Sequence, residues 1–292
     1  MQGKKLYQNI AGRLSEKLEK EVLFQKSDPV GGGCINNTEK IETSSGNFFL
    51  KYNDAKQFPG MFDAEAKGLK LLREANEIFV PEVICLGEER DESFLVLELV
   101  RSGRRQRNFF EDFGKRLAKL HKHTSGGFGL DHDNYIGSLP QRNWPHDNWV
   151  DFFVEERLEQ QIKLACDSNV LSRSFIPQFN NLFRRLNEIF PDEKPALVHG
   201  DLWSGNFMTA PDGFACIIDP AVYFGFREMD IAMSKLFGGF PAEFYDSYNS
   251  EFPMEKGWQL RADICNLYPL MVHVNLFGGG YVYDVQSILK RF

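Results

Sequence analysis

Residues 199–206 read HGDLWSGN, and this stretch contains the most informative spacing in the chain. Asp201 and Asn206 fit the pattern H-x-D-x-x-x-x-N, which places a base and a metal ligand on one loop. A Pro-Asp-Gly turn at residues 211–213 is expected to fold the next strand back, so that Asp219 arrives beside Asn206. An isolated match is more often an ordinary loop, but Asp219 directly after an apolar strand favours the functional interpretation. Two oxygen ligands brought together in this way suit Mg²⁺ bound to phosphates.

Two charged residues upstream fall in an order that fits the same chemistry. Lys51 follows the apolar residues 48–50 of a predicted strand, so its stem is buried and its ammonium can meet the phosphates of a nucleotide. Glu65 lies on the apolar side of a predicted helix over 62–75, where a carboxylate needs a cationic partner. Taken singly, each is more often a surface residue. Their order ahead of Asp201 favours an ion pair between them.

A run of glycines at residues 31–33 could let backbone amides approach phosphates closely. The run alone does not decide the matter, because no Walker-type G-K-[ST] follows it and a plain tight turn has the same composition. Cys34 comes next, and two interpretations of its thiol stay open. Beside phosphates and Lys51 it would be a redox-sensitive thiolate, whereas under the sheet it would be a small packed residue. The candidate nucleotide-binding residues of this turn are Gly31, Gly32, Gly33 and Cys34.

The order of predicted elements indicates an α+β protein with two lobes. Residues 1–97 are expected to form a small β-rich lobe with one inserted helix. Residues 98–103 form a connector, and residues 104–292 a larger, mainly helical lobe that contains the hairpin leading to the metal ligand. The backbone of the connector could meet an adenine edge, the alternative being the plain end of a strand. The residues that would do so are Glu98, Leu99 and Val100.

Composition narrows the class of protein. The 292-residue chain has a net charge of −7 and a pI near 5.5, which argues against nucleic acid as the main partner. Its five cysteines form no C-x-x-C pair, so we expect neither a disulfide framework nor a zinc ribbon, and a cytoplasmic location. Residues 264–283 lack Asp, Glu, Lys and Arg, but Pro269 and the glycines at 278–280 make them a poor membrane span. We expect a buried helix followed by a loop there, and no membrane partner.

The chain departs from protein kinases in ways that bear on its substrate. Gly200 stands where protein kinases have the Arg of H-R-D, which meets a phosphorylated activation loop. Residues 219–221 read DPA in place of D-F-G, and no A-P-E segment follows. The pattern therefore favours a constitutively competent phosphotransferase that acts on a small substrate.

The chain resembles the fructosamine kinase/ketosamine-3-kinase family over nearly its whole length. The resemblance rests on GGGCIN at 31–36, MFDAE at 61–65, LVHGDLWSGN at 197–206, IDPAVYFG at 218–225 and LFGGF at 236–240. The loop that contains Trp203 is more specific than the general kinase spacing. The resemblance implies the aminoglycoside-phosphotransferase version of the two-lobed protein-kinase-like fold.

That family uses ATP to phosphorylate the 3-hydroxyl of ketosamines, and the product then falls apart and frees the amine. By this resemblance Asp201 is the base, while Asn206 and Asp219 hold Mg²⁺. Lys51 together with Glu65 positions ATP. The resemblance leaves open whether a ribulosamine or a fructosamine is preferred, whether the substrate is free or protein-bound, and what the oligomeric state is.

Two other functions stay open. One is a kinase of the same fold that acts on an aminoglycoside, choline or a related amine-bearing alcohol. The other, from a different class, is a nucleotide-binding pseudokinase that serves as a scaffold. The intact set of site residues argues against the scaffold: Lys51, Asp201, Asn206 and Asp219.

Trp203 and His273 are the candidate substrate residues. The flat indole of Trp203 could stack on the C–H face of a sugar, or it could pack between the lobes. His273 lies in the uncharged stretch and is either a satisfied core histidine or part of the substrate pocket. We further expect His121 to be a buried hydrogen-bonding residue, Asp230 a helix N-cap, and residues 155–157 surface charges of a helix.

Overall fold

The structure is a computed structural model that describes residues 2–31 and 35–292. Gly32, Gly33 and Cys34 therefore lie outside the described residues, and the phosphate-binding and redox roles assigned to them stay predictions.

The chain divides into two compact units. The first consists of the residues up to Arg107 together with Met208–Ile218, and the second of Asn108–Phe207 together with Asp219–Phe292. The limits of the lobes and connector given from the sequence stay predictions.

The first unit is built on an antiparallel sheet. Its elements are α1 (Gln2–Leu18), β1 (Phe24–Pro29), β2 (Asn37–Thr43), β3 (Gly46–Asp54), α2 (Met61–Ala75), β4 (Val83–Glu89) and β5 (Glu92–Glu98). The strand order is β1-β2-β3-β5-β4, so β3 is the central strand. The apolar repeat of α1, which buries Leu6, Ile10 and Leu14, packs in one core with Leu50 of β3 and Val96 of β5.

The remaining elements are mostly helices. They are α3 (Phe109–Leu120), β6 (Asn134–Ile136), β7 (Leu139–Gln141), α4 (Trp149–Phe152), a π-helix (Phe153–Leu158), α5 (Glu159–Asp167), α6 (Ile176–Phe183), α7 (Leu186–Ile189), β8 (Ala196–Val198), β9 (Phe207–Thr209), β10 (Ala215–Ile217), β11 (Tyr223–Gly225), α8 (Glu228–Lys235), α9 (Ala242–Glu251), α10 (Trp258–Cys265), α11 (Leu267–Phe277) and α12 (Gly280–Leu289). Short 3₁₀ turns cover Arg173–Phe175 and Leu236–Gly238. Strands β8 and β11 pair antiparallel, and β9 and β10 form a second two-stranded sheet.

The turn predicted between β9 and β10 is confirmed. Gly213 N–H donates to the carbonyl of Ala210 at 2.9 Å, and Ala210 N–H donates to that of Phe214 at 2.8 Å. Gly213 has φ 88, a left-handed value that glycine adopts at little cost. The turn thereby reverses the chain direction and leads into β10, which ends two residues before Asp219.

The uncharged stretch at 264–283 contains the predicted buried helix, α11, but the predicted loop after it is wrong. Gly278 with φ 75 and Gly279 with φ 23 make only a short break. The next helix, α12, starts at once because the residues beyond the glycines supply an apolar face that buries Val285 and Leu289. None of the helices in the described part of the chain is long and apolar enough to cross a membrane.

Candidate active site

The loop after β8 carries Asp201 and turns back on itself to bring Asn206 beside it. Trp203 N–H donates to the carbonyl of Asp201 at 3.2 Å, and Asn206 N–H donates to that of Trp203 at 3.0 Å. Asn206 Nδ2 then donates to both the carbonyl oxygen and Oδ2 of Asp201, each at 2.8 Å. The spacing of five residues from Asp201 to Asn206 is thus the length of one closed loop. Because both amide hydrogens are used, Oδ1 is the Asn206 side-chain atom suited to bind a cation.

A close backbone approach places Asp219 alongside this loop. Gly200 has φ 84, and a Cβ at that position would overlap the carbonyl oxygen of Ala221. Ala221 N–H donates to the carbonyl of His199 at 2.9 Å, so the two segments run side by side. Asp219, two positions before Ala221, has φ 53, a strained value for a residue with a Cβ. The overlap is also the physical reason why glycine stands at the position of the protein-kinase Arg.

Three carboxylates lie around the loop, those of Asp201, Asp219 and Asp230. Burial raises the pKa of Asp201 to about 7; the hydrogen bond from Asn206 lowers this pKa, and the charges of Asp219 and Asp230 raise it. Repulsion among like charges at one site is relieved by a bound cation. The carboxylate and amide oxygens of Asp219 and Asn206 have the chemistry of a Mg²⁺ site, which fits their predicted role.

The sequence predicted Asp230 as a helix N-cap, and this prediction is wrong. The Asp230 carboxylate instead binds the start of the loop that carries Asp201. Asp230 lies inside α8, fully buried, and accepts the N–H groups of His199 at 2.7 Å and Gly200 at 2.9 Å. His121, buried as expected, lies 3.1 Å away through Nε2, and its Nδ1 lies 2.8 Å from the hydroxyl of Tyr248. Burial would raise the pKa of Asp230, but His121, His199 and the Gly200 amide together lower it. An ionised carboxylate therefore fixes the backbone just before Asp201.

We expect Asp230→Asn to lower kcat roughly 100-fold, the scale of a displacement of reacting groups by about 1 Å. Asparagine offers one oxygen where aspartate offers two, so one of the two loop amides would face an NH₂ group. Asp230 is a positioning residue, so the KM for ATP should change little. Steady-state kinetics test this, with the exposed Asp263→Asn as the control. A folded Asp230→Asn protein with unchanged kcat would contradict it.

Within the first unit, the predicted ion pair between Lys51 and Glu65 is present. Lys51 Nζ lies 2.7 Å from Glu65 Oε1, and the two side chains are 5% and 9% exposed. Lys51 lies on β3 opposite Thr38 of β2 and Leu95 of β5, so the centre of the sheet fixes its stem. The contact of this pair with ATP stays a prediction.

The connector begins at the end of β5. Glu98 N–H donates to the carbonyl of Glu82 at 2.8 Å, and its Oε2 accepts the N–H of Glu82 at 3.2 Å. Leu99 and Val100 follow outside any strand and are half-buried. The Glu98 amide is thus engaged within the protein, and an adenine edge would have to use its carbonyl and the groups that follow. That contact, like the role of Gly31, stays a prediction.

The two candidate substrate residues are joined by a third aromatic residue that the sequence did not single out. Trp203 lies over Gly205, where a Cβ would overlap the indole, and its ring centroid is 6.4 Å from that of Phe237. The centroid of Phe237 is 4.8 Å from that of His273. His273 Nδ1 lies 2.7 Å from the carbonyl oxygen of Pro269, and burial lowers its pKa. The exposed ring of Phe237 gave no periodic signal in the sequence.

Of the predicted surface charges at 155–157, Glu155 is exposed as expected, but Glu156 and Arg157 are buried. Arg157 is fully buried, with its guanidinium 4.0 Å from the ring centroid of Tyr223 and its Nη2 donating to Asn143 at 2.7 Å. The cause is the π-helix over Phe153–Leu158, whose wider turn rotates this charged segment inward. The apolar residues around the charges were the only signal in the sequence.

Comparisons with known proteins show the family of this chain. A sequence profile of fructosamine kinase matches residues 6–292. A protein named probable ketoamine kinase from Synechocystis is 41% identical over 290 residues, covering 98% of this chain and 96% of its own. A chloroplastic protein-ribulosamine 3-kinase of Arabidopsis thaliana is 38% identical, covering 94% of this chain and 84% of its own.

Solved structures extend the comparison to the fold. A crystal structure described as a candidate fructosamine-3-kinase from Haemophilus somnus 129PT superposes with a TM-score of 0.88 at 30% identity, covering 97% of this chain and 96% of its own. An aminoglycoside phosphotransferase superposes with a TM-score of 0.59 at 15% identity, covering 98% and 96%, which shows a shared kinase-like fold. The predicted fold class, a kinase-like α+β fold with a small β-rich part and a larger, mainly helical part, is confirmed. With a profile match over residues 6–292 and relatives near 40% identity along the whole chain, this protein belongs to the fructosamine kinase family.

Proposed function

We propose that this protein transfers the γ-phosphoryl group of ATP to the 3-hydroxyl of a ketosamine, a ribulosamine or a fructosamine. The observation that carries the proposal is the arrangement around Asp201. Asn206 closes the loop of Asp201 by a hydrogen bond, and Asp219 lies nearby. Buried Asp230 holds the backbone just before Asp201. The names of two relatives, a probable ketoamine kinase and a protein-ribulosamine 3-kinase, support this substrate class.

In the proposed reaction the substrate hydroxyl oxygen forms a bond to the γ-phosphorus, and the bond from that phosphorus to the leaving oxygen of ADP breaks. Asp201 accepts the hydroxyl proton. Its raised pKa suits a base that works near neutral pH, because a catalytic pKa close to the operating pH is the most efficient. Asn206 orients the carboxylate through Oδ2, so positioning and electrostatics supply most of the acceleration.

Asn206 and Asp219 would hold the metal ion, and Lys51, kept in place by Glu65, would bind the nucleotide phosphates. Bound Mg²⁺ would neutralise charge that develops on the phosphates. We place the enzyme in the cytoplasm because the four cysteines in the described residues, Cys85, Cys166, Cys216 and Cys265, are unpaired, as a reducing compartment would keep them.

An ATP-consumption assay over ribulosamines, fructosamines, aminoglycosides and choline tests the proposal, with ³¹P NMR to locate the new phosphate. We expect a ketosamine to be phosphorylated at the 3-hydroxyl and turnover to need added Mg²⁺ or Mn²⁺. Phosphorylation of an aminoglycoside or choline without any ketosamine activity would replace the proposed substrate class. ATP binding without turnover of any acceptor would indicate a scaffold instead.

A further inference from the structure

A series of aromatic rings begins at the catalytic loop and continues across helices α11 and α12. From Trp203 the contact passes to Phe237, with centroids 6.4 Å apart, and on to His273 at 4.8 Å. Tyr281 and Phe277 continue the series, with centroids 5.0 and 5.5 Å from that of His273. We call Phe237, His273, Phe277 and Tyr281 the aromatic strip.

The aromatic strip exposes large apolar rings to solvent. Phe237 is 42% exposed and Phe277 is 61% exposed, whereas Phe152 and Phe153 in the core of the same unit are fully buried. Single exposed apolar residues are ordinary, but a contiguous exposed apolar patch marks a binding surface. The strip is contiguous, because each of its rings lies within contact distance of another member.

The backbone at Phe237, whose ring is exposed, has a strained conformation. Phe237 has φ 57 and ψ 42 inside the 3₁₀ turn Leu236–Gly238, the left-handed region that bulky residues avoid. Gly238 and Gly239 also have positive φ, which is ordinary for glycine. Strained residues persist where the surrounding structure holds them, and they cluster at ligand-binding positions. The strain therefore points to a function for the Phe237 ring.

The strip is largely apolar and has no Asp, Glu, Lys or Arg among its members; its polar groups are the Tyr281 hydroxyl and the His273 ring nitrogens. In His273, Nδ1 lies within hydrogen-bond distance of the Pro269 carbonyl oxygen. Burial lowers the pKa of this imidazole, so the ring is neutral near pH 7. Aromatic faces of this kind offer a large apolar contact area to aliphatic side chains.

A ketosamine has two parts, the sugar and the amine that carries it. In the proposed function the sugar hydroxyl contacts Asp201, and Trp203 lies two positions further along the loop. We propose that the aromatic strip binds the carrier of the sugar and selects glycated lysines whose neighbouring residues in a peptide are apolar. This inference rests on the proposed function and commits to a peptide or protein carrier rather than a free amino acid.

The test compares two peptides with a ribulosylated or fructosylated lysine, one flanked by leucines and one flanked by serines, alongside the free glycated lysine. We expect the leucine peptide to have a KM roughly 5- to 10-fold lower than the serine peptide, the scale of one or two aromatic contacts. Phe237→Gly removes the ring and suits the left-handed backbone, and Phe277→Ala removes the outer ring. Each should bring the ratio of the two kcat/KM values close to 1. Tyr283→Ala, at a 76% exposed position of α12 outside the strip, should leave the ratio unchanged.

Binding of the same peptides to the Asp201→Asn protein, followed by calorimetry, gives a readout without turnover and should show the same preference. If no ketosamine is phosphorylated or bound, the proposed function fails and this inference fails with it. If the free glycated lysine is a substrate but the two peptides do not differ, only this inference is overturned. A change of oligomeric state in Phe237→Gly, seen by sedimentation with selectivity unchanged, would assign the strip to a second copy of the chain and overturn it.

Discussion

Asp201→Asn is expected to lower kcat about 10²–10⁴-fold, the contribution of a general base. The amide has nearly the same size as the carboxylate, and its oxygen can accept the Asn206 hydrogen bond that closes the loop at 2.8 Å. The loop should therefore keep its shape while losing the group that accepts the hydroxyl proton. Steady-state assays with a ketosamine measure the loss, and calorimetry should show ATP binding close to that of the unchanged protein.

Asp246→Asn, an exposed carboxylate on α9, is the matched control and should keep full activity. Near-normal turnover by Asp201→Asn would remove Asp201 from the role of base. Loss of ATP binding in the same variant would instead indicate that the carboxylate supports the nucleotide site.

Arg261→Ala should lower the free energy of unfolding by about 3–5 kcal/mol, because it leaves the Glu228 carboxylate buried without its partner. Arg261 joins α10 to α8 through a two-pronged pair, with Nη2–Oε1 at 2.6 Å and Nε–Oε2 at 2.9 Å. Its side chain is 4% exposed and that of Glu228 is fully buried. Urea unfolding of the two proteins measures the difference.

The exposed pair of Arg291 with Asp263, 2.8 Å long, is the matched control. Arg291→Ala should cost at most about 1 kcal/mol, because water screens both charges. The double change Arg261→Met with Glu228→Leu should recover much of the loss, since neither charge of this pair then remains. Equal effects of the buried and exposed single changes would show that burial does not set the strength of these pairs.

The parts of the site that depend on short-range spacing could be predicted from the sequence. The distance from Asp201 to Asn206 is the length of one closed loop, and the ion pair of Lys51 with Glu65 follows from one strand and the next helix. In both cases neighbouring residues determine the geometry.

The parts that depend on packing between distant segments could not be predicted. Asp230 looks like a cap because it stands near the start of a helix, yet its partners His199 and Gly200 come from the distant loop after β8. Arg157 fits a solvent-facing helical pattern, and a π-helix changes which face it occupies. The glycines at 278–280 suggested a loop, while the apolar residues beyond them formed a helix.

The approach of Gly200 to Ala221 restricts how this protein can evolve. Any side chain at Gly200 would collide with the backbone carbonyl of Ala221. The backbone there also has a positive φ, which residues with a Cβ avoid, so every substitution is expected to be destabilising. An arginine that could sense a phosphorylated loop cannot be acquired by a single exchange. The geometry at position 200 is therefore set by the backbone, and a side-chain link to a phosphorylated segment cannot be added there.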